Sequence, residues 1–326
     1  MNHTAYFKSI TSGDSEPDTL TEISLHALYS AMFDGGLPDL EIGALIAYSH
    51  FRPPGLPEIL AIQQAMMERV SQLQPPRRDL RPILIPAYSA TTSVPNLTAL
   101  LALLLQRYEI PVLLHGTLEG HGGVATAYVL REFNILPSGS THQAQSSLDK
   151  DAIAFVPTAV LSPGLAQLLV TRTRLGLASQ DFFPITLIDP FAGQGVYLCN
   201  FSDFGRTDSY REALGAIGGR ALLFCGTEGE PFANPSRRPA FELIANGNGV
   251  MLFEREHHHS DAGPRMPRNV TLSSTVTWIK QALAGEVAIP HPILNQLACC
   301  LFACGYTKDM HQAKAIAAMA VGRVAA

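Results

Sequence analysis

Charge is scarce in this chain, and so is cysteine. Asp, Glu, Lys and Arg make up 16% of 326 residues, against 47% hydrophobic. That balance excludes a disordered chain and fits a compact soluble protein of one or two domains. No apolar run reaches the length of a membrane span, and no charged-then-apolar leader opens the sequence. A cytoplasmic protein with no membrane partner is therefore expected. The five cysteines (Cys199, Cys225, Cys299, Cys300, Cys304) contain no Cys-x-x-Cys pair. Cys300 and Cys304 share a face of an apolar helical pattern, which predicts core thiols rather than zinc ligands. His257, His258 and His259 invite a metal reading, but consecutive residues of an extended loop point in alternating directions. With no Cys or carboxylate set at ligand spacing, no metal is expected there. No Ser-His-Asp or Cys-His arrangement can be assembled, and no internal repeat or low-complexity segment is present. The net charge of −5 argues against nucleic acid as a bulk electrostatic partner but leaves room for a local basic groove.

Residues 1–17 lack periodicity and read as a loose arm. Asp18 or Thr19 then caps a helix carrying Ile23, Leu25, Leu28, Met32 and Phe33, stopped by Asp34-Gly35-Gly36. Pro38-Asp39 starts a second helix with Ile42, Leu45, Ile46 and Phe51, and Pro53-Pro54-Gly55 breaks it. A third runs from Leu56 to Val70. The segment from Gln74 to Asp79 is a linker candidate. Beyond it, apolar strand-like runs at Pro82–Pro86, Ile110–Leu113, Ala152–Phe155, Arg220–Gly226 and Gly249–Phe253 alternate with helical patterns at Leu97–Tyr108 and from Ala127. Such alternation implies a largely parallel sheet covered on both faces. Two apolar helices are expected around Gly305 near the end.

The most informative stretch runs Leu114-His115-Gly116-Thr117-Leu118-Glu119-Gly120-His121-Gly122-Gly123-Val124. It lies between a strand and a helix, where backbone N–H groups and the helix start favour an anion. It resembles the sugar-phosphate loop, Lys-His-Gly-Asn-Arg-Ser, of the anthranilate phosphoribosyltransferase family. His115 and Gly116 match. Leu114, Thr117 and Leu118 replace the lysine, asparagine and arginine. Asp34 to Ala44 resembles the family's second-helix junction. Phe155-Val156-Pro157 and Arg172 to Gly176 resemble the segment leading to its anthranilate helix. Gly226-Thr227-Glu228-Gly229-Glu230 stands at its second acidic motif. The resemblance implies an α/β fold with a small N-terminal helical domain (1–76, carrying a dimer interface) and a larger α/β domain (77–326) whose mostly parallel sheet is flanked by helices.

The departures bear on function. Phosphoribosyl transfer needs a diphosphate cradle, magnesium ligands and cations for the leaving group. The family's Gly-Thr-Gly-Gly-Asp loop is replaced by Pro86-Ala87-Tyr88-Ser89-Ala90-Thr91, the acidic pair is reduced to Glu230 beside Pro231, and the lysine is Leu114. Gly218 to Leu223, Gly226 to Pro239 and Ala298 to Leu301 also resemble the YbiB-type branch. That branch implies homodimers that bind DNA and RNA without sequence preference.

The nucleic-acid-binding candidates are Arg77, Arg78, Arg172, Arg174, Arg206, Arg237 and Arg238, since arginine forks suit phosphate oxygens. Several have a plainer alternative: a solvated linker pair for Arg77 and Arg78, an exposed ion pair for Arg206 or Arg211, a carboxylate site at Arg172. His115, Gly116, Thr117, Glu228 and Glu230 would form a vestigial sugar-phosphate site. Tyr88 either stacks on a base or fills the vacated diphosphate pocket. The leading expectation is a non-catalytic nucleic-acid-binding homodimer with no cofactor. Two alternatives stay open: a phosphoribosyl transferase with altered substrates, which would need Mg2+, and a regulator that binds a small carboxylate.

Overall fold

The computed structural model describes residues 7, 22–52, 54–77, 79–119, 122–179, 182–201, 206–257 and 266–320. The expected cap at Asp18 or Thr19, the arm apart from Phe7, Arg78, His121, His258 and His259 lie outside them.

Helix α1 (Glu22–Phe33) buries Leu25, Leu28, Tyr29, Met32 and Phe33, a stripe at helical spacing. Asp34-Gly35-Gly36 ends it, with Gly35 at φ +72°, a left-handed turn that glycine adopts without strain. Asp39 and Glu41 stand in the first turn of α2 (Asp39–Phe51), where the helix N-terminus favours negative charge. Helix α3 (Leu56–Met67) buries Ile59, Ala61, Ile62, Ala65 and Met66. Arg69, just beyond it, clamps Asp34 with two hydrogen bonds of 2.6 Å. This pairing holds the Asp34 carboxyl below its usual range.

The α/β part follows, with β1 (Ile83–Ala87), β2 (Ala90–Thr91), α4 (Thr98–Gln106), β3 (Val112–Gly116), β4 (Val124–Ala125), α5 (Thr126–Arg131), α6 (Thr141–Asp151) and β5 (Ile153–Pro157). Next come α7 (Thr158–Leu161), α8 (Pro163–Arg174), a buried 3-10 turn (Phe183–Leu187), β6 (Val196–Phe201), α9 (Thr207–Ile217) and β7 (Arg220–Cys225). The chain closes with β8 (Phe241–Ala245), β9 (Asn248–Phe253), α10 (Leu272–Ala284), α11 (His291–Ala303) and α12 (Met310–Met319). The main sheet has the order β5-β3-β1-β6-β7-β8-β9. Its first five strands are parallel, and β8 and β9 add an antiparallel hairpin. The small strands β2 and β4 pair separately.

Strand alternation splits the core into two halves. Ile83, Ile85, Val112, Leu114, Phe155, Leu198, Leu222 and Phe224 face α4, α5 and α10–α12. Leu84, Leu113, Ala154, Val156, Cys199 and Leu223 face the other way, onto α1–α3 and α6–α9. Both sheet faces are therefore dry, as a parallel sheet requires. The N-terminal helices are one part of a helical layer that α7, α8 and the 3-10 turn complete. Cys199, Cys299, Cys300 and Cys304 are buried free thiols within these cores. Among the described residues, no helix is long and apolar enough to cross a membrane.

Candidate functional site

The C-terminal ends of β1, β3, β5 and β7 converge, and in open α/β sheets that edge is where ligands are held. Here the loops leaving it are tied to one another. Tyr88, directly after β1, is 3% exposed. Its hydroxyl lies 3.0 Å from His115 Nδ1 and 3.1 Å from the Thr158 hydroxyl, which donates to the Gly116 carbonyl at 3.1 Å. Burial drives the His115 pKa down to about 3, so the imidazole is neutral near pH 7. Neither ring faces solvent. Tyr88 fills space and does not offer a stacking surface. The tight turn is equally structural at Gly116: an added Cβ would stand 1.8 Å from the Ala87 carbonyl oxygen. The half-exposed Thr117 donates its N–H to that same carbonyl at 3.2 Å.

The acidic motif points inward. Glu230 is completely buried. Its Oε2 accepts from the hydroxyls of Thr98 (2.7 Å) and Thr126 (2.6 Å), and its Oε1 from the Ser89 N–H (3.0 Å). Asn96 orients Thr126 by donating to its hydroxyl at 3.0 Å. Burial raises the Glu230 pKa, with these donors pulling the other way. Glu228, at φ +51°, folds over residues 92 and 93. It accepts from the Thr92 N–H (2.7 Å), the Ser93 N–H (3.1 Å) and both hydroxyls. These donors hold its pKa low against the burial that raises it. Ser89 returns a hydrogen bond to the Glu228 carbonyl at 2.6 Å. The far side of the loop is pinned too. Buried Gln296 of α11 accepts from the Ala233 N–H and donates to the Pro231 carbonyl. The two carboxylates thus lace the first loop to the acidic loop, and their acceptor oxygens are taken. They do not fit a divalent cation bridging a diphosphate. Among the described residues, no group of three or more His, Cys, Asp or Glu side chains forms a metal site.

The candidate arginines stand in different surroundings. Arg77 pairs with Asp79 at 2.8 Å and with Glu109 at 3.4 Å. Arg172 is 4% exposed, with its guanidinium carbon 5.0 Å from the centroid of the Phe182 ring. Arg174, on the same helix, is exposed, and Arg206 stands half-buried before α9. Arg211 pairs with Glu242 at 2.9 Å and with Asp208. Arg237 and Arg238 come closest to the expectation, because the fold brings two further cations to them. Arg237 and the exposed Arg255 both bear on the Cys225 thiol, whose pKa burial raises. Arg238 and Lys314 both lie over the Phe253 ring, at 4.9 and 4.5 Å. Arg238 is also bound to Glu256 at 3.2 Å. Arg255 and Lys314 carry no sequence signal, since only the antiparallel hairpin and the last helix place them beside the 237–238 loop.

If the N-terminal helices carry a dimer interface, most of their apolar residues are not part of it. Met32, Phe33, Leu45 and Ile46 are at most 7% exposed and belong to the subunit's own core. Phe51 is 87% exposed, and Leu40, on the same helix, is 84% exposed.

No protein-family model matches the chain. The fold is similar to that of anthranilate phosphoribosyltransferase (TrpD) from Thermus thermophilus, with a TM-score of 0.76 and 17% identity over 97% of this chain and 94% of that one. The enzyme from Saccharomyces cerevisiae, in complex with PRPP and Mg, superposes with a TM-score of 0.70 and 11% identity over 98% and 93%. In sequence, the chain is 34% identical over 307 residues to the uncharacterized protein YbiB of Escherichia coli strain K12, covering 94% of this chain and 95% of that protein. The chain therefore belongs to the YbiB family and is built on the anthranilate phosphoribosyltransferase fold.

Proposed function

We propose that this protein is a cytoplasmic homodimer that binds DNA and RNA without sequence preference, uses no cofactor and has no transferase activity. The observation that carries the negative half is the saturation of Glu228 and Glu230 by Ser89, Thr92, Ser93, Thr98 and Thr126. A transferase would need those oxygens open to a metal. The positive half rests on the YbiB-type resemblance and on the cations grouped around the 237–238 loop. Arg237, Arg255 and Lys314 are the leading phosphate contacts there, with Arg174 as a further exposed cation. Arg77 and Arg172 are weaker candidates, because one is ion-paired and the other is buried. Local clustering lets an acidic protein attract a polyanion, since the field near the surface counts rather than the total charge. The exposed Leu40 and Phe51 of α2, with Val170 on α8 and Leu175 just past its end, are the proposed two-fold contact.

The test is a fluorescence-anisotropy titration of labelled DNA and RNA of unrelated sequences at several salt concentrations. Similar affinities are expected, with a log–log salt slope of about −0.9 per neutralised phosphate on duplex DNA. Replacing Arg237, Arg255 and Lys314 with alanine should weaken all sequences about equally and flatten the slope. An absence of binding at low salt would remove nucleic acid as the partner. Light scattering on Leu40→Glu/Phe51→Glu should give the monomer mass where the wild type gives a dimer.

A further inference from the structure

A second basic feature lies at the opposite edge of the sheet. An open cavity of about 510 Å³ is lined by Asp79, Leu80, Arg81, Arg220, Phe302 and Lys308, among others. Arg81 stands just before β1 and Arg220 opens β7, so both lie at the N-terminal strand ends. That places the cavity roughly 15 Å, about one five-residue strand length, from the Glu230 network.

Its charges do not balance. Asp79, its one carboxylate, is held by Arg77 at 2.8 and 3.1 Å. Among the described residues, no carboxylate lies within ion-pair distance of Arg81, Arg220 or Lys308. Arg81 donates to the carbonyls of Gly193 and Gln194 at 3.4 and 3.3 Å. The Arg220 Nε is buried with no hydrogen-bond partner. The C-terminal end of α11 offers some compensation, and Arg81 N–H donates to the Cys304 carbonyl there at 3.0 Å. A helix end carries only about half a negative charge, however, against three cations. The surplus exceeds two positive charges, in a chain whose net charge is −5. Burial and the like charge of Arg81 together hold Arg220 below the usual guanidinium range. The fold therefore holds the half-buried Arg220 beside Arg81 with its Nε unpartnered and no carboxylate opposite, a charge that an anion would relieve.

We infer that Arg81, Arg220 and Lys308 form a site for the phosphate monoester of a small molecule, with Leu80 and Phe302 beside its apolar part. Two arginine forks can share the oxygens of one phosphate, and the lysine adds a mobile point charge at the rim. The volume falls in the range of small-molecule pockets and exceeds what a bare phosphate fills. This inference does not depend on the nucleic-acid reading, whose leading contacts, Arg237, Arg255 and Lys314, are not among the residues that line this cavity.

The test is calorimetry of the full-length protein with AMP, adenosine and inorganic phosphate at fixed ionic strength. AMP should bind, inorganic phosphate more weakly, and adenosine not at all. Lys308→Met leaves the fold intact because Lys308 is exposed. It should weaken AMP severalfold, and Arg81→Met or Arg220→Met at least tenfold. No AMP binding to the wild type would overturn the inference, as would unchanged affinity in both Lys308→Met and Arg81→Met. Displacement of AMP by an oligonucleotide lacking a terminal phosphate would overturn it too, by making the cavity part of a nucleic-acid track.

Discussion

Replacing Glu230 with alanine separates a structural carboxylate from a vestigial ligand. The substitution strands three donors: the buried Thr98 and Thr126 hydroxyls and the half-buried Ser89 N–H. A buried donor left without its acceptor costs about 1–3 kcal/mol, so the two hydroxyls alone account for roughly 2–6 kcal/mol of gross loss before any cavity term. Part of this is returned, because burial already disfavours the charged carboxyl, as its raised pKa records. A net loss of about 3 kcal/mol is expected, a large share of the roughly 5–15 kcal/mol that holds a typical protein folded. Glu230→Gln keeps the shape and one acceptor oxygen, and should lose about 1–2 kcal/mol. A surface carboxylate waiting for a metal would lose within about 0.5 kcal/mol. The assay is urea unfolding followed by circular dichroism, with the slope checked for constancy. A double-mutant cycle of Glu230→Ala with Thr98→Val should show coupling of about 1 kcal/mol or more. An alanine variant as stable as the wild type, or a wild type that millimolar magnesium stabilises, would refute the reasoning.

Two further predictions concern the same edge of the sheet. His115, with a pKa of about 3 in the fold against an ordinary 6.5, binds its proton more readily when unfolded. Stability is therefore lost as pH falls below about 6.5, by roughly 2 kcal/mol between pH 7 and pH 5. Unfolding at both pH values should show that loss in the wild type and not in His115→Gln, which shares every other titrating group. Equal slopes would contradict the burial. Gly116→Ala should lower the melting temperature sharply or abolish soluble protein, because its Cβ would meet the Ala87 backbone at 1.8 Å. Gly43→Ala, inside α2 with nothing within 4 Å of the new Cβ, should instead stabilise by up to about 1 kcal/mol.

The sequence made the N-terminal helices legible because their breaks are chemical: Asp34-Gly35-Gly36, Pro38 and Pro53-Pro54-Gly55. The apolar runs of β1, β3, β5 and β7 were legible for the same reason, being short and bounded. Helix α6 was not, since Thr141–Asp151 is polar and buries only Ala144 and Leu148. Strand β6 was hidden behind the loop from Asp189 to Gly195, and β8 by Glu242, which breaks its apolar run and pairs with Arg211. At the site, motif spacing located the acidic loop. It could not show which way the carboxylates turn, because their partners lie more than a hundred residues away in sequence. Apolar periodicity marked Met32, Phe33, Leu45 and Ile46 as covered faces, but it does not say whether a second subunit or the same chain covers them.

The most direct test of the closed catalytic edge is a calorimetric titration with phosphoribosyl diphosphate and magnesium. The Tyr88 plug and the saturated Glu228 and Glu230 predict no tight binding and no turnover of anthranilate. Micromolar affinity for the diphosphate, or any magnesium-dependent transfer to anthranilate, would contradict the account.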